Sequence, residues 1–208
     1  MINDLIKALN GKKLIAGSIR NNVYELAKEN NVEIIDLMKR EEFSVLNAIS
    51  TAEGTIKIAI EETSKTLHGS NILVMGFGRI GKILAKMLDG MGDKVSCEAR
   101  KHSDLAWIKA FGYQPIALKD LKEKLENFDI IINTIPYMVL DKENLKEVKD
   151  DALIIDLASN PGGVDREYVK KNKIKFIWAL SLPGKIAPIT SAEYIKETLH
   201  NIFDEFKL

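Results

Sequence analysis

From Asn71 onward the chain repeats one pattern, and that pattern limits the fold more than any single motif. Six short apolar runs, NILVMG, KVSCEA, YQPIAL, FDIIINTIP, ALIIDLAS and IKFIWAL, alternate with amphipathic stretches. The runs have strand length, and FDIIINTIP is apolar without alternation, as a strand covered on both faces must be. The stretches between them have helical spacing. In RIGKILAKMLDGM, residues Ile80, Ile83, Leu84, Met87 and Leu88 fall on one face. SDLAWIKAFG reads as a helix with Ser103 as its N-cap and Gly112 as its stop. LKDLKEKLEN, DKENLKEVKD and DREYVKKN read as further helices, and SAEYIKETLHNIFDEF closes the chain as another. Strands alternating with helices require right-handed crossovers. The expected fold is therefore α/β: a doubly wound, parallel, six-stranded Rossmann sheet over residues 70–190, with a C-terminal helix over 191–208.

The first seventy residues read differently. KKLIAGSI, RNNVYELAKEN and VEIIDL spell strand, helix, strand, so residues 1–50 are expected to form part of a second α/β domain at the N-terminus. TAEGTIKIAIEETSKTLHG is expected to be one connecting helix over 51–69, capped by Ser50 or Thr51 and stopped at Gly69. The apolar faces of this helix and of the C-terminal one suit either a homodimer or packing within one chain.

Composition excludes several classes. Lysine plus arginine and aspartate plus glutamate each number 30, and a net charge of zero argues against a nucleic-acid binder. No apolar run approaches the roughly 18 to 20 residues that span a bilayer, and the longest, FDIIINTIPYMVL, is interrupted by Asn133, Thr134 and Pro136. Cys97 is the one cysteine, which rules out an intrachain disulfide. No His/Asp/Glu cluster has metal-ligand spacing, so no metal is expected. A cytoplasmic protein fits these features best.

Gly76-Phe77-Gly78-Arg79-Ile80-Gly81 matches G-x-G-x-x-G, with a strand before it and a helix opening inside it. That context turns a weak motif into a pyrophosphate cradle: a tight turn, an open approach, and close helix–strand packing. The helix N-terminus adds free N–H groups and partial positive charge. The second strand decides which dinucleotide fits. Glu98 lies near the spacing of an acid that would bind the ribose of NAD, but it reads as internal to the strand. At the tip stand Arg100, Lys101 and Ser103, which suit a 2′-phosphate; NADP is therefore expected before NAD. Other loops at the same edge, after Asn133, Asp156 and Leu182, carry small, polar and proline residues that admit a flat ring.

The segments NAISTAEGTIKIAIEETSKTLHGS, VMGFGRIG, EARKHSDLA, FDIIINTIPYMVL, LIIDLASNPGGVD and LSLPGKIAPITSAEYI, in this order, resemble the dipicolinate synthase family in its A-type subunit. The nucleotide domain more distantly resembles those of alanine dehydrogenase and the 2-hydroxy-acid dehydrogenases. The resemblance implies an oxidoreductase of spore-forming bacteria, at work in the mother-cell cytoplasm. With a B-type flavoprotein subunit, it would oxidise a dihydrodipicolinate-type precursor to dipicolinate. Family members begin with a complete N-terminal α/β domain, of which this chain carries the last portion. On this reading Gly76, Gly78, Arg79, Ile80 and Gly81 hold the pyrophosphate, and Arg100, Ser103 and Lys101 the 2′-phosphate. Asn133, Thr134, Ile135 and Pro136 flank the nicotinamide ribose, and Ala158 and Ser159 flank the ring. The substrate is a dianion, so Asn160, Gly162, Gly184 and Lys185 are expected around it, with Arg79 and Arg166 as further cations. Aromatisation releases a hydride and a proton, so a base is needed. His68 and Glu53 are the candidates, although a helix-end histidine and a first-turn glutamate also serve the helix dipole. Two other readings remain open: a general amino- or hydroxy-acid dehydrogenase, and a non-catalytic nucleotide-binding module.

Overall fold

The structure, a computed structural model, describes residues 2–207. It divides into two compact units, residues 48–188 and the remainder. In the smaller unit come α1 (Ile2–Ala8), β1 (Lys13–Ala16), α2 (Asn21–Glu29), β2 (Glu33–Asp36) and the start of α3 (Glu41–Glu62). β1 and β2 pair in parallel, Lys13 opposite Glu33 and Ala16 opposite Asp36. Ile6, Ala27 and Val32 form the core of this unit. Arg40 ties it further by ion pairs of 2.7 Å to both Glu42 and Glu205.

The larger unit carries β3 (Asn71–Met75), α4 (Arg79–Gly90), β4 (Lys94–Ala99), α5 (His102–Ala110), β5 (Gln114–Ala117) and β6 (Ile130–Asn133). It continues through α6 (Lys142–Leu145), β7 (Leu153–Asp156), α7 (Arg166–Lys171), β8 (Lys175–Trp178) and α8 (Leu182–Ile186); α9 (Pro188–Phe206) follows. The strand order is β5-β4-β3-β6-β7-β8, and every pair is parallel. This is the doubly wound order, with its switch point between β3 and β6. The carboxyl edge there opens the crevice where such sheets bind ligands.

Both faces of the sheet are covered, which explains runs such as IIIN. Ile72, Val74, Ile130 and Ile132 face a core shared with Leu84, Leu88 and Ile108. Leu73, Met75 and Ile131 face the opposite core, with Leu121, Leu125, Leu145 and Val169. Register then places one row of residues across the carboxyl edge. Glu98 pairs with Met75, Met75 with Asn133, Asn133 with Asp156, and Asp156 with Trp178. Glu98, Asn133 and Asp156 are each no more than 1% exposed.

Several boundaries differ from the sequence reading. The connecting helix runs over Glu41–Glu62, not 51–69, and opens on Glu41 and Glu42, whose charges favour a helix N-terminus. Ser50 and Thr51 are therefore not caps. They are buried within the helix, where Thr55 Oγ1 donates back to Thr51 O at 2.8 Å. Ser103 is not a cap either: α5 starts one residue before it, after Lys101. LKDLKEKLEN forms two 3-10 stretches, Leu118–Asp120 and Lys122–Asn127, instead of an α-helix. The last helix begins at Pro188, since proline is well suited to a first turn.

Candidate functional site

The three glycines of the motif do three different things. Gly76 has φ +88°, and a Cβ there would lie 2.5 Å from Thr134 Oγ1 and 3.0 Å from Ile135 Cγ1. It makes the turn and lets the loop after β6 close on it. A Cβ on Gly81 would run into the carbonyl oxygen of Gly76, so α4 packs against β3 only with glycine there. Gly78 has nothing within 4 Å of such a Cβ, and it is the N-cap of α4 without a side chain to cap the helix. The open side of the loop thus faces outward at a helix N-terminus, the arrangement that accepts a phosphate group.

The tip of β4 follows the expectation in part. Glu98 is inside the strand, and among the described residues its Oε2 has no hydrogen-bond partner. Burial pushes its carboxyl up, while the Gly76 amide and the charge of Arg100 pull it down. Arg100, Lys101 and Ser103 stand exposed beyond it.

The loops after β6 and β7 are joined by a buried polar network. Asn133 Nδ2 donates to Asp156 Oδ1 at 2.8 Å and to Ile135 O at 3.0 Å. Asn133 Oδ1 accepts from the Ile135 amide. Asp156 also accepts from the amides of Ala158, at 3.0 Å, and Gly163, at 2.9 Å. A Cβ on Gly163 would collide with Asn133 Nδ2 and lie 2.6 Å from Ile135 O, so glycine is what allows the two loops to meet. Thr134 Oγ1 donates to Met75 O at 2.8 Å. The side chains of Asn133 and Thr134 and the amides of Ala158 and Gly162 hold the loops together and do not reach outward; the Gly162 amide bonds Ser159 O. The outward-facing groups here are Pro136, Tyr137, Met138, Ser159 and Asn160.

Two further residues enter from β8 and α7. Trp178 Nε1 donates to Ala158 O at 2.8 Å. The Arg166 guanidinium lies over the Trp178 ring, 4.3 Å from its centroid. Sequence reasoning gave Asp156 and Trp178 no role. The one clue was a polar or aromatic residue closing an apolar run, LIID and KFIW, and it meant little without the register. Gly184 and Lys185 are exposed on α8.

The two candidate bases part company. His68 lies at the amino edge, among the turns that enter β3 and β4: its Nδ1 is 2.9 Å from Met91 O, and Gly69 bonds Gly92. The carboxyl edge is at the other end of the strands, so a catalytic role for His68 is not supported. Beside it Asp93 is buried with neither carboxylate oxygen hydrogen-bonded among the described residues. Burial pushes its pKa to about 6, against a lowering effect from His68. Glu53 is better placed. Its neighbour Gly54 closes on Leu182 and Ile186 of α8, beyond the carboxyl end of β8, and the far end of α3 meets the start of β8 through a Lys175–Glu62 ion pair. Glu53 is exposed on this turn, well inside the helix. A first-turn role in stabilising the helix end no longer accounts for it.

Comparison with known proteins agrees with this geometry. Residues 39–167 match the family described as D-isomer specific 2-hydroxyacid dehydrogenase, NAD binding domain. The A-type subunit of dipicolinate synthase from Bacillus subtilis is 37% identical over 193 residues, which cover 93% of this chain and 64% of that protein. The chain thus spans just under two thirds of the length of that relative. The crystal structure of the A chain of dipicolinate synthase from Bacillus subtilis superposes with a TM-score of 0.94 at 34% identity, covering 99% of this chain and 69% of that one. The structure of the corresponding dipicolinate synthase subunit from Bacillus halodurans gives a TM-score of 0.91 at 34% identity, covering 96% and 69%. Transhydrogenase from Sinorhizobium meliloti, at 17% identity and a TM-score of 0.75, shares the fold.

Proposed function

The chain belongs to the D-isomer specific 2-hydroxyacid dehydrogenase family of NAD-binding domains and is a relative of the A-type subunit of dipicolinate synthase, and on that premise we propose that it binds NADP as part of an oxidoreductase that converts a dihydrodipicolinate-type precursor to dipicolinate. The B-type flavoprotein subunit is the partner in this reading, and the mother-cell cytoplasm of a sporulating bacterium is the setting. No helix among the described residues is long and apolar enough to cross a membrane.

The observation that carries the cofactor choice is the tip of β4. Glu98 is turned inside the protein, while Arg100, Lys101 and Ser103 are exposed at the start of α5. A guanidinium pairs with two oxygens of a phosphate at once, and an ammonium and a hydroxyl complete a site for a 2′-phosphate. The glycine cradle fits the pyrophosphate, because its one open position, Gly78, faces outward at the N-terminus of α4. When bound, the nicotinamide would accept the hydride that leaves the substrate ring. The second hydrogen leaves as a proton, and Glu53, exposed on the turn of α3 held against α8, is the residue we assign to take it. The buried network of Asn133, Asp156 and Gly163 would keep the two ring-flanking loops at a constant spacing, which is how a scaffold turns binding into orientation.

Calorimetric titration of the chain with NADPH and NADH tests the reading. Tighter NADPH binding, weakened about tenfold or more by Arg100→Ala, is the expected outcome. A preference for NADH would mean that the unpartnered oxygen of Glu98 serves the ribose, and the reading as a general amino- or hydroxy-acid dehydrogenase would replace this one. Dipicolinate formation that depends on NADP⁺ and yields NADPH, on adding the flavoprotein subunit, separates an enzyme from a non-catalytic nucleotide-binding module.

A further inference from the structure

A dicarboxylate at this edge needs donors, and the backbone supplies few. In the loop after β7 the amide of Gly162 bonds Ser159 O at 2.8 Å, and that of Gly163 bonds Asp156 at 2.9 Å. The amide of Ala158 also goes to Asp156. Three amides of the glycine-rich loop are thus already used within it, and an anion beside it gains most from a side-chain cation. Three cations are candidates. Arg79 opens α4 beside the phosphate cradle, and Lys185 is an exposed ammonium on the short α8. Arg166 is the one whose partner ring is itself bonded to the loop after β7. Its guanidinium lies 4.3 Å from the centroid of Trp178. Trp178 in turn is held by its indole N–H to Ala158 O, and its ring lies 3.7 Å from where a Cβ of Gly162 would be. The acid next to Arg166, Asp165, caps α7 by accepting from the Tyr168 amide at 2.9 Å. A guanidinium resting over a ring still presents N–H donors in a planar fork.

We infer that Arg166, laid on Trp178, receives one carboxylate of the substrate, with Trp178 as its positioning residue. This rests on the dicarboxylate reading above. The site favours a planar acid, since the same indole that orients the guanidinium also borders the loop expected to flank the ring. A monocarboxylate would use the fork equally well but lose the second charge, so the pair of acids reports on the whole site.

The full chain carrying Trp107→Phe leaves Trp178 as the one tryptophan. Its emission is followed while pyridine-2,6-dicarboxylate or pyridine-2-carboxylate is added in the presence of NADP. Quenching by the dicarboxylate, weakened about tenfold or more by Arg166→Gln and partly restored by Arg166→Lys, is expected. NADPH affinity is read in each variant and should not change, which distinguishes a lost ligand contact from misfolding. Equal dicarboxylate affinity in Arg166→Gln overturns the inference. So does NADPH binding by the parent chain with no response to either acid. If the parent chain binds the dicarboxylate through Arg166 but neither dinucleotide, the inference stands and the cofactor reading falls.

Discussion

At the carboxyl edge of the sheet, Asn133 and Asp156 are buried and bonded to one another; at the amino edge, the Asp93 carboxylate is buried with no hydrogen-bond partner among the described residues. Both edges belong to one sheet with the same strands. The difference is in what each polar group achieves. Asp156 gathers one side-chain amide from the end of β6 and two backbone amides from the loop after β7, so its carboxylate is met by donors on both sides. Asp93 gathers no donors, and burial raises its pKa to about 6. One carboxylate organises a site, and the other is a strain on the folded state.

Removing Asp156 should therefore have the largest effect. Asp156→Ala leaves one N–H of the Asn133 amide and the Ala158 and Gly163 N–H groups without their Asp156 acceptor. We expect a loss of about 3 to 5 kcal/mol in urea unfolding, together with loss of NADPH binding. Retained stability would mean that water replaces the carboxylate and that the edge is looser than its geometry.

The opposite edge should respond with the opposite sign. The folded state holds a proton on Asp93 up to about pH 6, whereas the unfolded chain releases it near 3.8. Stability is thus unaffected by this group below the lower value and falls as pH rises through that window. Asp93→Asn should stabilise the protein by up to about 3 kcal/mol at pH 7 to 8 and by little at pH 4, read from melting curves across that range. A gain that does not depend on pH would show that the effect is not ionisation.

The glycine loop sharpens the comparison within the carboxyl edge alone. Gly81→Ala should destabilise the fold by about 1 to 3 kcal/mol, because the new Cβ meets the Gly76 carbonyl. Gly78→Ala has open space around it and should leave stability within about 0.5 kcal/mol, while weakening NADPH binding. If Gly78→Ala binds NADPH as the parent does, the cradle does not receive the pyrophosphate there.

The smallest effects on stability concern the two candidates for the base. Glu53→Gln should abolish turnover with the flavoprotein subunit while leaving NADPH affinity unchanged. His68→Gln, at the amino edge, should alter neither. Loss of turnover in His68→Gln would invert this assignment.

How legible these features are depends on how local their causes are. The glycine motif announces itself because turn, approach and packing each act over a few residues, and the structure gives Gly76, Gly78 and Gly81 those separate tasks. Glu98 reads as internal to its strand because its neighbours alternate, and it is buried there. The sequence misplaces the long helix because Ser50 and Thr51 look like caps. Their hydroxyl groups can instead bond back along a helix, and only packing of that turn against α8 shows which applies. Glu53 and His68 look equivalent when each is judged by its own helix end; they separate once the strands assign them to different edges.

The sequence by itself determined the alternation of strands and helices, the parallel doubly wound sheet and the place of the glycine turn between β3 and α4, because hydrophobic period, turn chemistry and the handedness of crossovers act over short stretches of chain. Only the tertiary structure decided that Glu98, Met75, Asn133, Asp156 and Trp178 form one row. It also decided that Arg166 rests on the last of them. Register between strands far apart in the chain is set by how the two buried faces pack, and no local pattern carries that information.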